Sequence, residues 1–319
     1  MSLNTKILKA DGLLLVTATL WGFAFSAAKE SMYHVGPFFY NGICFTLGAL
    51  TLLPFLLFSN GRKSAESRAE RRVEFQTLCL GGTLAGLAMF CGSTFQQMGI
   101  VHTTAGKAGF ITGLYVVIVP LLGLFRRHKV AMGTWVGATL AVVGLYFLSI
   151  TRTFGISPGD PLVFVGAFFW ALQILAVARF SPRIDPVGFA CFQFAVCALL
   201  SFLAAFALET ITLQKIFDTA VPCLFNGVFG VGLAFTLQVM AQRHAHPAHA
   251  AILMSMETVV AALGGWLLLN EALSARALLG CALMLAGMLS SQLSTYLFPA
   301  RQAPPVASFA VESSCADSE

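Results

Sequence analysis

The stretch FQTLCLGGTLAGLAMFCGSTFQQMGIV, residues 75–101, runs for 27 residues without a single Asp, Glu, Lys or Arg. About 20 helical residues already cross the roughly 30 Å hydrocarbon layer of a membrane. Nine further windows of 18 to 24 residues have the same character, and all ten together hold only two charged residues, Asp11 and Glu257. These nine windows are 10–28, 36–58, 108–125, 130–151, 161–178, 187–208, 219–242, 250–270 and 277–300. The sequence therefore predicts an all-α polytopic membrane protein with ten transmembrane helices.

The composition of the whole chain supports this class. Of 319 residues, 57% are hydrophobic and 10% are charged, whereas soluble domains carry about 25% charged residues. Such a chain is too apolar to be disordered or to cover a water-soluble core. Its net charge of +5 is spread over the loops and forms no basic face for nucleic acid. The expected surroundings are a lipid bilayer.

The positive charges predict the orientation. With a cytoplasmic N-terminus, 14 of the 19 Lys and Arg fall on the cytoplasmic side, as the positive-inside rule requires. Both termini are then cytoplasmic, in a multi-pass protein of the plasma (inner) membrane. Residues 1–9 form a short N-terminal segment, and residues 301–319, rich in Pro, Ala and Ser, form a flexible tail.

Two halves of the chain match in register. Trp21 and Pro37 recur as Trp170 and Pro186 at an offset of 149, and further matches follow at 142 to 143: Thr94, Gln96 and Met98 with Thr236, Gln238 and Met240, and Gly137 and Gly144 with Gly280 and Gly287. The repeats are residues 10–151 and 152–300, each with five helices. Because five is odd, the second repeat enters the membrane inverted, as in secondary transporters that bind substrate near the midplane. The third and eighth helices are expected to face one cavity, and the glycine-bearing fifth and tenth helices to lie outside and support packing or self-association as a homodimer.

Several motifs resemble the ten-helix, EamA-type drug/metabolite transporter superfamily. They are Leu20-Trp21-Gly22-Phe23, the run Thr103 to Phe110 leading to Pro120, Met256-Glu257-Thr258 running on to Asn270-Glu271-Ala272-Leu273-Ser274, and Gly280 to Gly287. The resemblance covers residues 10 to 298 and implies export or exchange of small metabolites, such as amino acids or related amphiphiles, without ATP. Family members often have Pro after the mid-helix Glu. Here Thr258 takes that place, which puts Pro-dependent unwinding in doubt.

Glu257 is the first candidate site residue, because a carboxylate near the bilayer centre must be protonated, paired or hydrated. It is interpreted as a proton-coupling site or partner of a substrate amine, the alternative being a neutral acid in a helix–helix hydrogen bond. Lys107 either extends to the membrane interface or attracts a substrate carboxylate in the cavity. Tyr115 aligns with Glu257 at offset 142.

The remaining candidates are amides and tryptophans. Gln96, Gln238, Gln173 and Asn226 either line the cavity or join helices by hydrogen bonds. Trp21 and Trp170 either form cavity walls that stack on a ligand or serve as bulky packing. His244, His246 and His249 lie within six residues and are interpreted as a solvated cytoplasmic turn. The spacing predicts no metal site and no cofactor.

The predicted function is transport. A secondary active or facilitative transporter, exporting a small metabolite by alternating access, accounts for the inverted repeats and the polar residues within the spans. The alternatives are a membrane-embedded enzyme and a non-transporting helical scaffold. An enzyme is disfavoured because the sequence contains no H-E-x-x-H and Glu257 has no His or second acidic residue at helical spacing.

Overall fold

A computed structural model describes residues 3–60, 68–103, 105–125, 132–149, 157–269 and 275–297. Every element in this part of the chain is helical. Fourteen α-helices are joined by a 3-10 turn, Ser181–Arg183, and a π-helical segment, Asn226–Phe235. The α-helices are α1 (Leu3–Ser31), α2 (Pro37–Asn60), α3 (Arg68–His102), α4 (Ala105–Gly113), α5 (Tyr115–Phe125), α6 (Met132–Ser149), α7 (Asp160–Phe180), α8 (Pro186–Leu208), α9 (Leu213–Asp218), α10 (Ala220–Phe225), α11 (Thr236–Gln242), α12 (Pro247–Met254), α13 (Glu257–Leu269) and α14 (Ala275–Leu297).

Seven described segments are long and apolar enough to cross a membrane: Ile7–Ser31, Pro37–Leu57, Arg72–His102, Asp160–Arg183, Pro186–Leu208, Ala220–Gln242 and Pro247–Gly264. Three shorter apolar helices, Ala108–Leu124, Met132–Gly144 and Leu278–Ser291, overlap the remaining predicted windows. The prediction of an all-helical membrane protein is confirmed with seven candidate spans. The count of ten spans stays a prediction.

Large apolar side chains cover the outside of the bundle. On α8, Leu199, Leu203 and Phe206 are 61%, 60% and 73% exposed. Burying one such side chain contributes about 1.5–3 kcal/mol, so water would be an unfavourable surrounding for this surface. A lipid bilayer removes that cost.

The matched prolines Pro37 and Pro186 each begin a helix, where the missing N–H of proline costs nothing. The Asp185 carboxylate accepts a 2.7 Å hydrogen bond from Gly188 N and caps α8. At the start of α2 the capping carboxylate comes from Glu209, just after α8, and accepts bonds from the amides of Phe38 (2.9 Å) and Phe39 (2.8 Å). The two helices therefore start at equivalent sequence positions but are capped from different ones.

Glycines join α6 to α14. A Cβ placed on Gly137 would lie 2.7 Å from the Gly287 carbonyl oxygen, and one on Gly144 would lie 2.6 Å from that of Gly280. Neither distance is compatible with a side chain, so these backbones approach as closely as they do because the residues are glycine. The predicted packing role of these glycines is confirmed, since their close contacts join α6 to α14 within one chain.

The central helices of the two halves pack against each other in two similar sets of contacts. Helix α3 of the first half packs against α7 and α8 of the second, and the π-helical segment of the second half packs against α1 and α2 of the first. Likewise α7 contacts α4 and α5, and α1 contacts α12 and α13. These contacts surround the space in which the polar side chains of the spans meet.

Candidate functional site

One cavity lies among α1, α2, α3, α7, the π-helical segment and the helices near Tyr115 and Glu257. The space between protein atoms, including its open part, is about 720 Å3. Its lining includes eight of the nine predicted site residues: Trp21, Gln96, Tyr115, Trp170, Gln173, Asn226, Gln238 and Glu257. The side chain of the ninth, Lys107, lies outside the described residues.

Two helix interruptions position the acidic end of the cavity. The chain leaves α4 at Gly113 and starts α5 at Tyr115, and it leaves α12 at Met254 and starts α13 at Glu257. The Tyr115 hydroxyl donates a 3.0 Å hydrogen bond to Glu257 Oε1, and both residues are 3% exposed. Two equivalent sequence positions thus meet at the point where their helices break.

The break before Glu257 forms without proline. Met256 N bonds to Leu253 O at 3.2 Å, one residue short of the α-helical spacing. The Thr258 hydroxyl donates to Ser255 O at 2.9 Å, as does its amide at 3.1 Å. A threonine side chain that bonds a nearby carbonyl competes with the regular helix. The helix is therefore interrupted before Glu257 even though Thr258, and not proline, follows this residue.

The two tryptophans form one aromatic wall with Phe235. The ring centroid of Phe235 is 4.6 Å from that of Trp21 and 5.6 Å from that of Trp170. Trp21 Nε1 donates to Gly230 O in the π-helical segment at 2.9 Å, and Trp170 Nε1 donates to Gln96 Oε1 at 2.7 Å. Because each indole N–H is fixed by a partner, the rings present flat apolar faces in defined orientations.

The predicted amides are held by hydrogen bonds to other helices, and two of them bond each other. Gln173 and Gln238 exchange hydrogen bonds of 3.4 and 3.1 Å, and Gln173 also donates to Gln193 at 3.3 Å. Asn226 Nδ2 donates to the Tyr40 hydroxyl at 2.7 Å. These amides both line the cavity and join helices, so the two interpretations of their role do not exclude each other.

Two cavity amides escaped the sequence reasoning, Asn41 on α2 and Gln97 on α3. A search for matching polar positions misses them, since their counterparts at the two repeat offsets are Ala190 and Val239. The sequence signal that could have identified them is a carboxamide side chain within a span that contains no charged residue.

The charge within the cavity is one-sided. Glu257 is the single acidic side chain among the described lining residues, and none of these residues is Lys, Arg or His. A cationic group of a ligand therefore has a partner in this lining, whereas a carboxylate has only amide and hydroxyl donors there.

The interpretation of His249 as part of a solvated turn is wrong. His244 and His246 are exposed, but His249 lies in α12 with 2% of its side chain exposed. Its Nε2 is 3.0 Å from Asp11 Oδ1 and its Nδ1 is 2.9 Å from Ser291 Oγ. Helix α12 starts at Pro247, three residues earlier than the predicted span, and this extra length carries the imidazole into the bundle.

Comparison with known proteins gives a consistent result. Residues 8–150 and 157–291 match the EamA-like transporter family. The chain is similar to an uncharacterized transporter of Archaeoglobus fulgidus, with 32% identity over 293 residues that cover 90% of this chain and 86% of the relative. It is also similar to the uncharacterized inner membrane transporter YedA of Escherichia coli K12, with 23% identity over 301 residues that cover 93% and 94% of the two chains. A solved crystal structure with 20% identity covers 90% of this chain and 98% of its own, with a TM-score of 0.72, and shares the fold.

Proposed function

Since the chain belongs to the EamA-like transporter family, we propose that it moves a small metabolite, an amino acid or related amphiphile, by alternating access through the central cavity. The observation that carries this proposal is the buried Glu257–Tyr115 pair in the wall of that cavity, at two helix interruptions. Transporters commonly bind substrate and coupling ions at such discontinuous helices near the membrane midplane.

Two inverted five-helix repeats suit alternating access, and contacts between equivalent positions support this architecture. Under a two-fold axis in the membrane plane, equivalent residues contact each other on or near the axis. Tyr115 and Glu257 are 142 residues apart in register and hydrogen-bonded. The glycines of α6 and α14 pair reciprocally. Gly137 contacts Gly287, the counterpart of Gly144, and Gly144 contacts Gly280, the counterpart of Gly137.

A second pair of equivalent residues supports the same symmetry. Asp11 and Asp160 are 149 residues apart, the offset of the two tryptophans. Asp11 in the first repeat contacts His249 in the second, and Asp160 in the second accepts a 2.7 Å hydrogen bond from the Thr103 hydroxyl in the first. Each aspartate thus joins its own repeat to the other one, at the end of the bundle where its helix begins.

Glu257 is the residue to which we assign proton coupling. A carboxyl group inside a membrane protein is favoured when it is neutral or paired, and its described side-chain partner is a neutral hydroxyl. A cationic substrate group would pair with the carboxylate and release its proton. Substrate binding and proton release are then linked at one side chain.

Transport by the purified protein in liposomes tests this function. Counterflow of labelled amino acids is measured at several pH values for the wild type, Glu257→Gln and Glu257→Asp. The Gln variant keeps the shape of the side chain but is always neutral. We expect its transport rate to fall about tenfold or more, which corresponds to the loss of one charge-assisted hydrogen bond of about 1.5–3 kcal/mol. We also expect the pH dependence of transport to disappear. The Asp variant should keep part of the activity.

Glu30→Gln is the matched control, because the same substitution is made at a side chain that is 62% exposed. An inserted Glu257→Gln protein with unchanged rate and unchanged pH dependence would remove the coupling role. A wild-type protein without counterflow of any amino acid would instead favour the scaffold or enzyme alternatives.

The remaining parts of the proposal concern the cell. We propose location in the plasma (inner) membrane with both termini cytoplasmic, on the charge distribution, and export as the direction of net transport. Exposed leucines on α14, such as Leu289 and Leu293 at 59% each, offer an apolar face on which a homodimer can form.

A further inference from the structure

Two buried amide atoms in the cavity wall have no hydrogen-bond partner among the described residues. They are a donor, Asn41 Nδ2, and an acceptor, Gln97 Oε1. Asn41 is 2% exposed and Gln97 5% exposed, and both residues line the cavity. Buried polar groups are nearly always paired, so an unpaired group needs an explanation.

Packing alone does not explain these two amides. The equivalent positions of the second repeat hold Ala190 and Val239, each 0% exposed. The fold thus fills the same two places with apolar side chains in its other half, where no amide atom has to be paired. The polar atoms are therefore an addition of the first repeat, on one side of the cavity only.

The chemistry of the two atoms selects a type of ligand. A carboxylate accepts from Asn41 but cannot donate to Gln97, and an ammonium group donates to Gln97 but cannot accept from Asn41. An uncharged carboxamide or lactam does both within one planar group, since it carries a carbonyl oxygen beside an N–H, whereas an amino acid would need its carboxylate and its ammonium together. The aromatic wall of Trp21, Trp170 and Phe235, in which the planes of Trp21 and Phe235 meet at 57° and those of Trp170 and Phe235 at 22°, offers ring surface to a planar apolar body attached to such a group.

We propose that Asn41 and Gln97 form a recognition subsite for an uncharged carboxamide or lactam group of the transported molecule, whose planar part packs on the tryptophan wall. This inference rests on the proposed transport function and narrows its substrate class. It assigns recognition of this uncharged group to two side chains of the first repeat, while Glu257 remains the partner of a cationic group elsewhere on the transported molecule.

Equilibrium binding to the purified protein tests the subsite without transport. Three probes share one ring and differ in the attached group: benzamide is uncharged, benzoate anionic and benzylamine cationic. The chain has four tryptophans. In a background where Trp135 and Trp266 are replaced by phenylalanine, quenching of Trp21 and Trp170 fluorescence reports occupancy of the cavity. We expect benzamide to bind more tightly than benzoate at neutral pH, whereas benzylamine reports on Glu257, the partner of a cationic group in this lining.

The variants Asn41→Leu and Gln97→Met keep similar side-chain size and remove the amide. Each should raise the Kd for benzamide about three- to tenfold, as the loss of one neutral hydrogen bond does, and leave the binding of benzylamine unchanged. Gln242→Met is the matched control. Gln242 is 2% exposed and its Oε1 also has no described partner, yet it is not among the described residues that line the cavity. This control should bind benzamide like the wild type.

Three outcomes would overturn the subsite: no benzamide binding by the wild type, tighter binding of benzoate than of benzamide, or equal benzamide affinity in both variants and the wild type. If a variant fails to fold, Asn41→Ala and Gln97→Val replace it with the residue that the second repeat already tolerates. Loss of transport in the Glu257 variants with intact benzamide binding would bear on the coupling role of Glu257 and not on the subsite. A wild-type protein that shows counterflow but no selectivity for benzamide would contradict the subsite and leave the transport function standing.

Discussion

Replacing His249 with phenylalanine should destabilise the folded protein by about 2–4 kcal/mol. The imidazole bonds two buried groups on two other helices, Asp11 on α1 and Ser291 on α14. Removing one partner of a buried hydrogen bond costs about 1–3 kcal/mol per remaining group. An average hydrogen bond between membrane helices contributes only about 0.6 kcal/mol, so two of them would give about 1.2 kcal/mol. We expect the larger cost because the Asp11 and His249 side chains are only 3% and 2% exposed.

A double-mutant cycle separates the pair from general packing. Asp11→Leu alone leaves one ring nitrogen of His249 without this partner, and the double variant Asp11→Leu, His249→Phe removes both polar groups. The double variant should therefore lose at least about 1 kcal/mol less than the sum of the two single variants. Unfolding by SDS in mixed micelles, followed by circular dichroism, gives each free energy of unfolding.

Ser290→Ala provides the control on α14. Ser290 is partly exposed and its hydroxyl bonds Ala286 O within the same helix, so the change should stay within about 0.5 kcal/mol. A cost near 1 kcal/mol for His249→Phe, or single costs that add within about 0.5 kcal/mol, would refute a buried polar cluster that joins α1, α12 and α14.

Two further predictions concern helix packing and orientation. Gly137→Ala should destabilise the protein by about 1–3 kcal/mol, because its Cβ would lie 2.7 Å from the Gly287 carbonyl oxygen. Gly12→Ala, with nothing within 4 Å of the added Cβ, should not, and equal melting temperatures of the two variants would contradict the close approach of α6 and α14. In a background without native cysteines, Lys63→Cys should resist an impermeant thiol reagent outside intact cells and Lys215→Cys should react; the reverse labelling would invert the orientation.

Much of this protein could be predicted from one-dimensional patterns. A window of 18 or more residues without charge identifies an apolar helix. Each segment that crosses the hydrocarbon layer must be apolar and must pair its own backbone groups, so the signal is contained within the segment. The register between the halves drew attention to the glycines through which α6 and α14 pack, although it predicted only that they support packing or self-association. It also drew attention to Tyr115, whose partner proved to be Glu257.

The state of individual polar groups could not be predicted in this way. Gln97 follows Gln96 directly, yet Gln96 accepts from Trp170 while Gln97 Oε1 has no described partner. Adjacent helical residues point in directions about 100° apart, so one of them can meet a neighbouring helix in a different way from the other. The sequence shows two amides and no difference between them.

The sequence by itself determined the membrane class, the apolar segments and the internal repeat, because hydropathy and register are properties of residues along the chain. Only the tertiary structure decided that His249 is buried, that Thr258 accompanies a helix break, and which amides lack partners. Asp11 and His249 are separated by 238 positions, and Tyr115 and Glu257 by 142. The energy of a buried polar group depends on the partner that another helix brings within 3 Å, and that partner is fixed only when the helices pack.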